Sequence, residues 1–393
     1  MKFTFLTMPA YGHLNPMLGV AKELVSRGHE VTVYNTKKFK DKIVHVGALY
    51  KEYPASAKDF DFRMLHTAIH IAQQSLCATE QMTDLLIKEI NSEKPDCILH
   101  DSLSLWGKII GLHTKIPSIA LVPSMGINTP VILSHLGFFA ADVGYILSHP
   151  IEFMQLIKKF RKQYLEKGFS PPLLTDLFSN TEKLNIVFTS REFQPSEEEF
   201  GKEFRFVGPV VYDRNDAVTV PDLQSDQKII YVALGTVYND NIEVYRSLIQ
   251  ALGQFKQQAY VSIGRYIKPS ELGDIPPHIH ISAYHPQLEI LKNASLFISH
   301  AGMNSVNESL YFGVPLLMLP IIQEQRINAD RVAELGAGIY YKKQPSDTDK
   351  LVESIRTLLA DNKYKEAAEH IGKTLRAGGG AQKAADQIVD FLS

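Results

Sequence analysis

Short apolar runs alternate with amphipathic stretches along the whole chain. Residues 3–8, 30–35, 97–100, 118–122 and 184–188 read as strands in the first half. The rhythm restarts in the second half at 229–234, 259–263, 296–299 and 315–319. Between these runs apolar residues recur at helical spacing, as at 17–27, closed by Gly28, and at 81–91. Strands that alternate with helices in this way pair in parallel and carry helices on both faces. The fold class is therefore α/β, with two doubly wound, Rossmann-like domains in tandem. In such sheets ligands bind beyond the carboxyl ends of the strands, so two domains facing each other are expected to share one cleft.

The boundary falls after Val207-Gly208-Pro209, where a stretch of Asp, Asn, Ser and Pro begins. The reading is a first domain at 1–210, a linker at 211–227 and a second domain at 228–377. Gly378-Gly379-Gly380 then precedes a last amphipathic helix at 381–393. A chain of 393 residues exceeds one ordinary core and suits two.

Composition narrows the function classes. Lys and Arg total 41 against 43 Asp and Glu, which argues against a nucleic-acid partner. Cys77 and Cys97 alone make neither a disulfide framework nor a zinc cluster. The first residues read as a strand and its loop, not a signal peptide, and no run reaches membrane-spanning length. A cytosolic protein without stable membrane insertion is expected, with a monomer as the default. From residue 116 to 151 the only charged residue is Asp142. That segment reads as buried helices that also supply an apolar pocket near Met125, Phe138 and Phe139. The basic stretch 157–167 reads as a solvated helix face in preference to a membrane contact.

The strongest chemical signal lies between Tyr284 and Gln325. His300-Ala301-Gly302-Met303-Asn304-Ser305 follows a strand and opens a helix, whose unpaired N–H groups and dipole favour a phosphate. Gly302 admits close backbone approach, and His300, Asn304 and Ser305 add donors. Glu308, one turn further in, suits the two hydroxyls of a ribose. Tyr284 offers a flat ring to a nucleobase, beside Gln287, and Glu324-Gln325 places acceptors for sugar hydroxyls. Gly235-Thr236, at the end of the second domain's first strand, is a further phosphate contact. Arg265, in the loop after the next strand, is either a diphosphate ligand or a surface residue.

Gly12-His13 lies in the first loop, ahead of a helix expected to start near Pro16. That helix N-terminus keeps the imidazole neutral and able to accept a proton. Asp101 ends another strand at the same rim and is placed to orient the ring, the base-and-orienter logic of hydrolytic triads. His66, His70, His113, His135 and His149 have no comparable setting.

The aromatic-x-Pro-Gln start at Tyr284, the His300-x-Gly-x-Asn-Ser-x-x-Glu core, Gly313-Val314-Pro315 and Glu324-Gln325 occur in order. Together they resemble the donor signature of the UDP-glycosyltransferase superfamily, and the whole chain is similar to its bacterial macrolide-glycosyltransferase-type members. The resemblance implies the GT-B fold, with the last helix crossing back onto the first domain. It also implies His13 as base with Asp101 behind it, and UDP-glucose as donor. A UDP-sugar would serve as co-substrate, with no permanently bound cofactor. The acceptor would be a lipophilic or aromatic small molecule such as a phenol, flavonoid or macrolide. Inversion without a metal is expected, with the helix N-terminus and its side-chain donors stabilising the leaving diphosphate in place of a divalent cation. Tyr284 stands where plant members have Trp, and Glu324 where they have Asp. The competing readings are a sugar-nucleotide epimerase or hydrolase on the same fold, an NAD-dependent oxidoreductase, and a non-catalytic nucleotide-sugar or drug-binding protein.

Overall fold

The apolar runs become the inner strands of two parallel sheets. The structure is a computed structural model that describes residues 1–54, 68–134, 137, 140–172, 179–212, 214, 228–235, 239–342 and 347–393. Thr236, His66, His135, Phe138, Phe139 and most of the 211–227 stretch lie outside the described residues. The chain divides into two compact units, Met1–Val210 with Gly378–Ser393, and Val211–Ala377.

In the first unit the strands are β1 (Lys2–Leu6), β2 (Glu30–Asn35), β3 (Leu49–Glu52), β4 (Cys97–Asp101), β5 (Ser118–Val122), β6 (Asn185–Val187) and β7 (Phe204–Phe206). They form one sheet in the order β3-β2-β1-β4-β5-β6-β7, parallel throughout. Its helices are α1 (Tyr11–Ser26), α2 (Lys40–His45), α3 (Ala68–Glu93), α4 (Leu105–Thr114), α5 (Thr129–Ser134), α6 (Ala140–Ser148) and α7 (Pro150–Leu165). β1 and β4 are neighbours with Leu6 opposite His100, so the segments that follow them leave the sheet side by side. That pairing brings two distant pieces of sequence to one rim.

Helix α1 starts at Tyr11, not near Pro16, which lies inside it. Pro16 has no N–H to return to the carbonyl four residues back. The buried stripe Leu14, Met17, Leu18, Ala21 and Leu24 spans the proline, and its burial offsets the missing bond. Helix α3 runs well beyond the expected 81–91. Its stripe includes Thr79 and Thr83, whose hydroxyls satisfy the carbonyls of Ser75 and Thr79, so polar residues sit on a buried helical face. Asp142 is buried and accepts from the Ile69 N–H in the first turn of α3. The apolar 116–151 segment divides. Ile119 to Val122, Met125 and Val131 are buried, whereas Val143, Leu147 and Ile151 face solvent, which corrects the expectation of uniformly buried helices.

The second unit has β8 (Ile229–Ala233), β9 (Gln258–Ser262), β10 (Ile279–Ser282), β11 (Ala294–Ser299), β12 (Leu316–Met318) and β13 (Gly338–Tyr340), again parallel, in the order β10-β9-β8-β11-β12-β13. Its helices are α8 (Ile242–Leu252), α9 (Gln287–Leu291), α10 (Met303–Tyr311), α11 (Gln323–Glu334), α12 (Thr348–Ala360) and α13 (Asn362–Ala377). Ala233 pairs with Ser299, so the loops after β8 and β11 emerge together. The last helix, α14 (Gly380–Leu392), belongs to the first unit and packs on α1, where Arg27 on the end of α1 pairs with Asp386 at 2.8 Å.

Candidate active site

His13 is the third residue of α1, so it stands on a helix turn and not in a loop. Its Nδ1 lies 2.8 Å from Asp101 Oδ2. Asp101 is fully buried, and its Oδ1 accepts the Leu103 N–H at 2.8 Å, which fixes the carboxylate plane. With the Nδ1 proton given to Asp101, Nε2 is the basic nitrogen, on a ring that keeps 18% of its side chain exposed. Two fields act on it. The α1 N-terminus, which has no side-chain cap, disfavours an imidazolium; the carboxylate stabilises one once a proton arrives. Gly12, just before it, has open space where a side chain would stand.

Behind Asp101 is a pair that sequence reading missed. His100 is buried, with Nδ1 3.0 Å from the Asp101 carbonyl and Nε2 3.1 Å from Glu182 Oε1. Both ring nitrogens face oxygen acceptors, so the pair braces the backbone of Asp101. No local motif signals it, because Glu182 comes from the segment ahead of β6.

In the second unit the chain turns sharply between β11 and α10. Ala301 is buried at φ +63°, a left-handed conformation that costs an alanine about 1–2 kcal/mol. Asn328 on α11 donates to its carbonyl at 2.9 Å, and its N–H meets Ser299 Oγ at 3.2 Å, which hold the turn. The turn leads into α10, whose N-terminus has no side-chain cap. Gly302 is the cap residue, and Asn304 and Ser305 are half-buried in the first turn. The His300 ring fills the space between two glycines: a Cβ on Gly235 or Gly302 would approach Nε2 to 2.7 or 2.5 Å. Gly235 also has φ +85°, so that position needs glycine twice over. Although His300 is only half-buried by its own exposure, its surroundings are dense. Burial pushes its pKa down to about 4, against the opposing Ala233 carbonyl, so the ring is neutral at pH 7. Asn239, also unforeseen, wedges between the Gly235 carbonyl, at 2.8 Å, and the Cα of Gly264.

Glu308 is buried, and both its oxygens are engaged. Oε1 pairs with Arg214, and Oε2 accepts from Gln287 Nε2 at 2.7 Å. Burial works against the Arg214 charge, but Glu308 outweighs it and raises the guanidinium above its usual range. Arg214 came from the stretch read as a linker; the structure ties it into the second unit. Tyr284 is 39% exposed, and Gln287 opens α9. Gln325 is buried, with Oε1 accepting the Ile321 and Ile322 N–H groups at 2.8 and 3.2 Å, so it closes the start of α11. Glu324, beside it, is exposed, as is Arg265.

The chain resembles known proteins over nearly its whole length. Residues 246–391 match the family model of the erythromycin biosynthesis protein CIII-like C-terminal domain. The uncharacterized UDP-glucosyltransferase YojK of Bacillus subtilis is 34% identical over 98% of this chain and 96% of its own. The chain belongs to the UDP-glycosyltransferase superfamily. Within it, this glycosyltransferase is of the bacterial macrolide-glycosyltransferase-like type. It is 32% identical to the NDP-glycosyltransferase YjiC of Bacillus licheniformis, over 98% of the chain and 96% of that protein. The crystal structure of the glycotransferase of kitacinnamycin superposes with a TM-score of 0.86 at 26% identity, covering 100% of this chain and 99% of that one. The calicheamicin glycosyltransferase CalG4 gives 0.80 at 24%, covering 100% and 98%. The fold of this glycosyltransferase is GT-B, built from the two Rossmann-like units described above.

Proposed function

We propose that this glycosyltransferase moves a hexose, glucose from UDP-glucose in the first instance, to a hydroxyl of a lipophilic or aromatic small molecule, with inversion. The observation that carries the mechanism is the His13–Asp101 pair, in which a buried and fixed carboxylate presents a reachable imidazole. His13 Nε2 takes the acceptor's hydroxyl proton while the oxygen bonds to the anomeric carbon. The bond from that carbon to the diphosphate oxygen breaks in the same step, and a single displacement inverts the centre. Asp101 stabilises the imidazolium that results.

The negative charge that builds on the departing diphosphate falls to the N–H groups of α10, with Asn304, Ser305 and His300. A neutral His300 contributes by holding the turn between Gly235 and Gly302, since its single N–H is directed at the Ala233 carbonyl. These donors take the place that a divalent cation fills in other transferases. Glu308 is assigned to the ribose, Tyr284 and Gln287 to the base, and Glu324 and Gln325 to the sugar. Gly12 leaves room beside the base, and Gly235 with Thr236 adds a phosphate contact. YojK's description as a UDP-glucosyltransferase supports the donor assignment. The oleandomycin glycosyltransferase of Streptomyces antibioticus and the zeaxanthin glucosyltransferase of Pantoea ananas, both full-length relatives, support an apolar acceptor.

The test is incubation with UDP-glucose and a panel of phenols, flavonoids and macrolides, read by mass for a hexose gain and by NMR for anomeric configuration. A β-glucoside from the α-linked donor is the expected product. UDP binding with no product from any pair would instead favour a non-catalytic binding protein, and an α-product would overturn the single displacement.

A further inference from the structure

Helix α7 has two apolar faces, and among the described residues only one packs against protein. Leu156, Phe160 and Tyr164 are buried against Ile69, Ala72 and Leu76 of α3 and Leu105 and Ile109 of α4, which anchors the helix. On the opposite side Ile151, Met154 and Leu165 stand 71%, 70% and 58% exposed. At 3.6 residues per turn, Ile151, Met154, Lys158, Lys162 and Leu165 fall on a single stripe, with Arg161 at its edge, and all of these face solvent. The acidic residues lie off that stripe: Glu152 is a quarter-turn from Ile151 and accepts from the Tyr145 hydroxyl at 2.7 Å, while Glu166, just past the helix, pairs with Lys162 at 3.4 Å. Helix α6, which leads into α7, adds Val143 and Leu147 at 45% and 77% exposure, one turn apart.

An outward face that mixes large apolar side chains with Lys and Arg, and carries no acid on the stripe, is suited to neither water nor a second acidic or neutral protein surface alone. Its apolar groups favour removal from water, while its cations favour anionic groups at the same depth. A lipid surface with anionic headgroups supplies both at once: acyl chains for Ile151, Met154 and Leu165, and phosphates for Lys158, Arg161 and Lys162. No described helix is long and apolar enough to cross a membrane, so the contact would be peripheral. We propose that the exposed face of α7, extended by α6, docks this glycosyltransferase reversibly on an anionic bilayer surface. This inference stands apart from the reading of the catalytic pair. It also revises the solvated face that the basic 157–167 stretch suggested in sequence.

The test is sedimentation of the full chain with vesicles of phosphatidylcholine alone and with a third of the lipid replaced by phosphatidylglycerol. Binding is expected only to the anionic vesicles and should fall at least fivefold between 0.05 and 0.5 M salt, as screening shortens the reach of the lysines. Met154→Glu with Leu165→Glu should abolish binding, and Lys158→Gln with Lys162→Gln should weaken it about tenfold. Circular dichroism and transfer to a water-soluble phenol should match the parent in both variants. Failure of the parent to bind anionic vesicles, or unchanged binding by the Met154→Glu, Leu165→Glu variant, would overturn the proposal. A concentration-dependent dimer that this variant dissolves, without any vesicle binding, would assign the face to a second copy of the chain instead.

Discussion

Asp101 in the first unit and Glu308 in the second are both buried carboxylates, and the two are satisfied in different ways. Asp101 is held by a backbone N–H and by the ring of His13, which itself reaches solvent. Its charge therefore has no full cation against it until His13 is protonated. Glu308 is closed on both oxygens by Arg214 and Gln287, so a counter-charge is present before any ligand arrives. The first arrangement is incomplete in the resting protein and is completed by a proton, which is what an orienting group for a base requires. The second is complete at rest, so the ribose proposed for Glu308 would have to share or displace an existing partner. Burial alone does not single a carboxylate out for chemistry; Asp101 differs from Glu308 in that its partner remains reachable.

The largest test of that contrast is Asp101→Asn. An amide still accepts the Leu103 N–H but no longer stabilises an imidazolium, so turnover should fall about a hundredfold to a thousandfold with UDP affinity unchanged. Steady-state rates beside calorimetric UDP titration check this. Arg214→Ala should act in the opposite sense. It leaves Glu308 buried and uncompensated, which should destabilise the second unit by about 3 kcal/mol in urea unfolding. Adding Glu308→Gln to that variant should recover part of the loss, since the orphaned charge is removed. A third variant concerns pH. The folded pKa of His300 is lowered to about 4, below the ordinary value near 6.5, so the unfolded chain binds more protons in that window. The contribution is fully present above about pH 6.5 and is lost as pH falls towards 4. His300→Asn should therefore lose less stability than the parent between pH 7 and 4.5, by about 1–2 kcal/mol once partial exposure is allowed for.

The inner strands were legible because both of their faces are covered, so β1, β4, β5, β8 and β11 read as predominantly apolar runs. The strands that sequence reading passed over, β3, β7, β10 and β13, are the outer edges of the two sheets. Their sequences, Leu-Tyr-Lys-Glu in β3 and Phe-Arg-Phe in β7 among them, are short and mix polar with apolar residues. An edge strand is defined by its neighbour, and that neighbour is far away in sequence.

The site divides in the same way. Asp101 was readable at a strand end and His13 in the segment after another strand, and their meeting follows from β1 lying beside β4. The turn at His300–Gly302 was readable from its residue types, but the left-handed Ala301 was not, since alanine carries no signal for that conformation. Asn328, His100 and Arg214 contribute through hydrogen bonds across long sequence separations, and Asn239 through its packing against Gly264 as well as a bond four residues back to Gly235. Gln325 was assigned to a sugar, yet its oxygen serves the backbone at the start of α11. A helix-start glutamine has a local use that looks the same in sequence as a ligand contact.

The central claim is that His13 is the base. It is tested most directly by the single-turnover rate of His13→Ala with UDP-glucose and a phenol acceptor, measured beside UDP affinity in the same preparation. The account predicts a rate lower by about a hundredfold to ten-thousandfold with affinity within twofold of the parent. A variant that turns over as fast as the parent would contradict it.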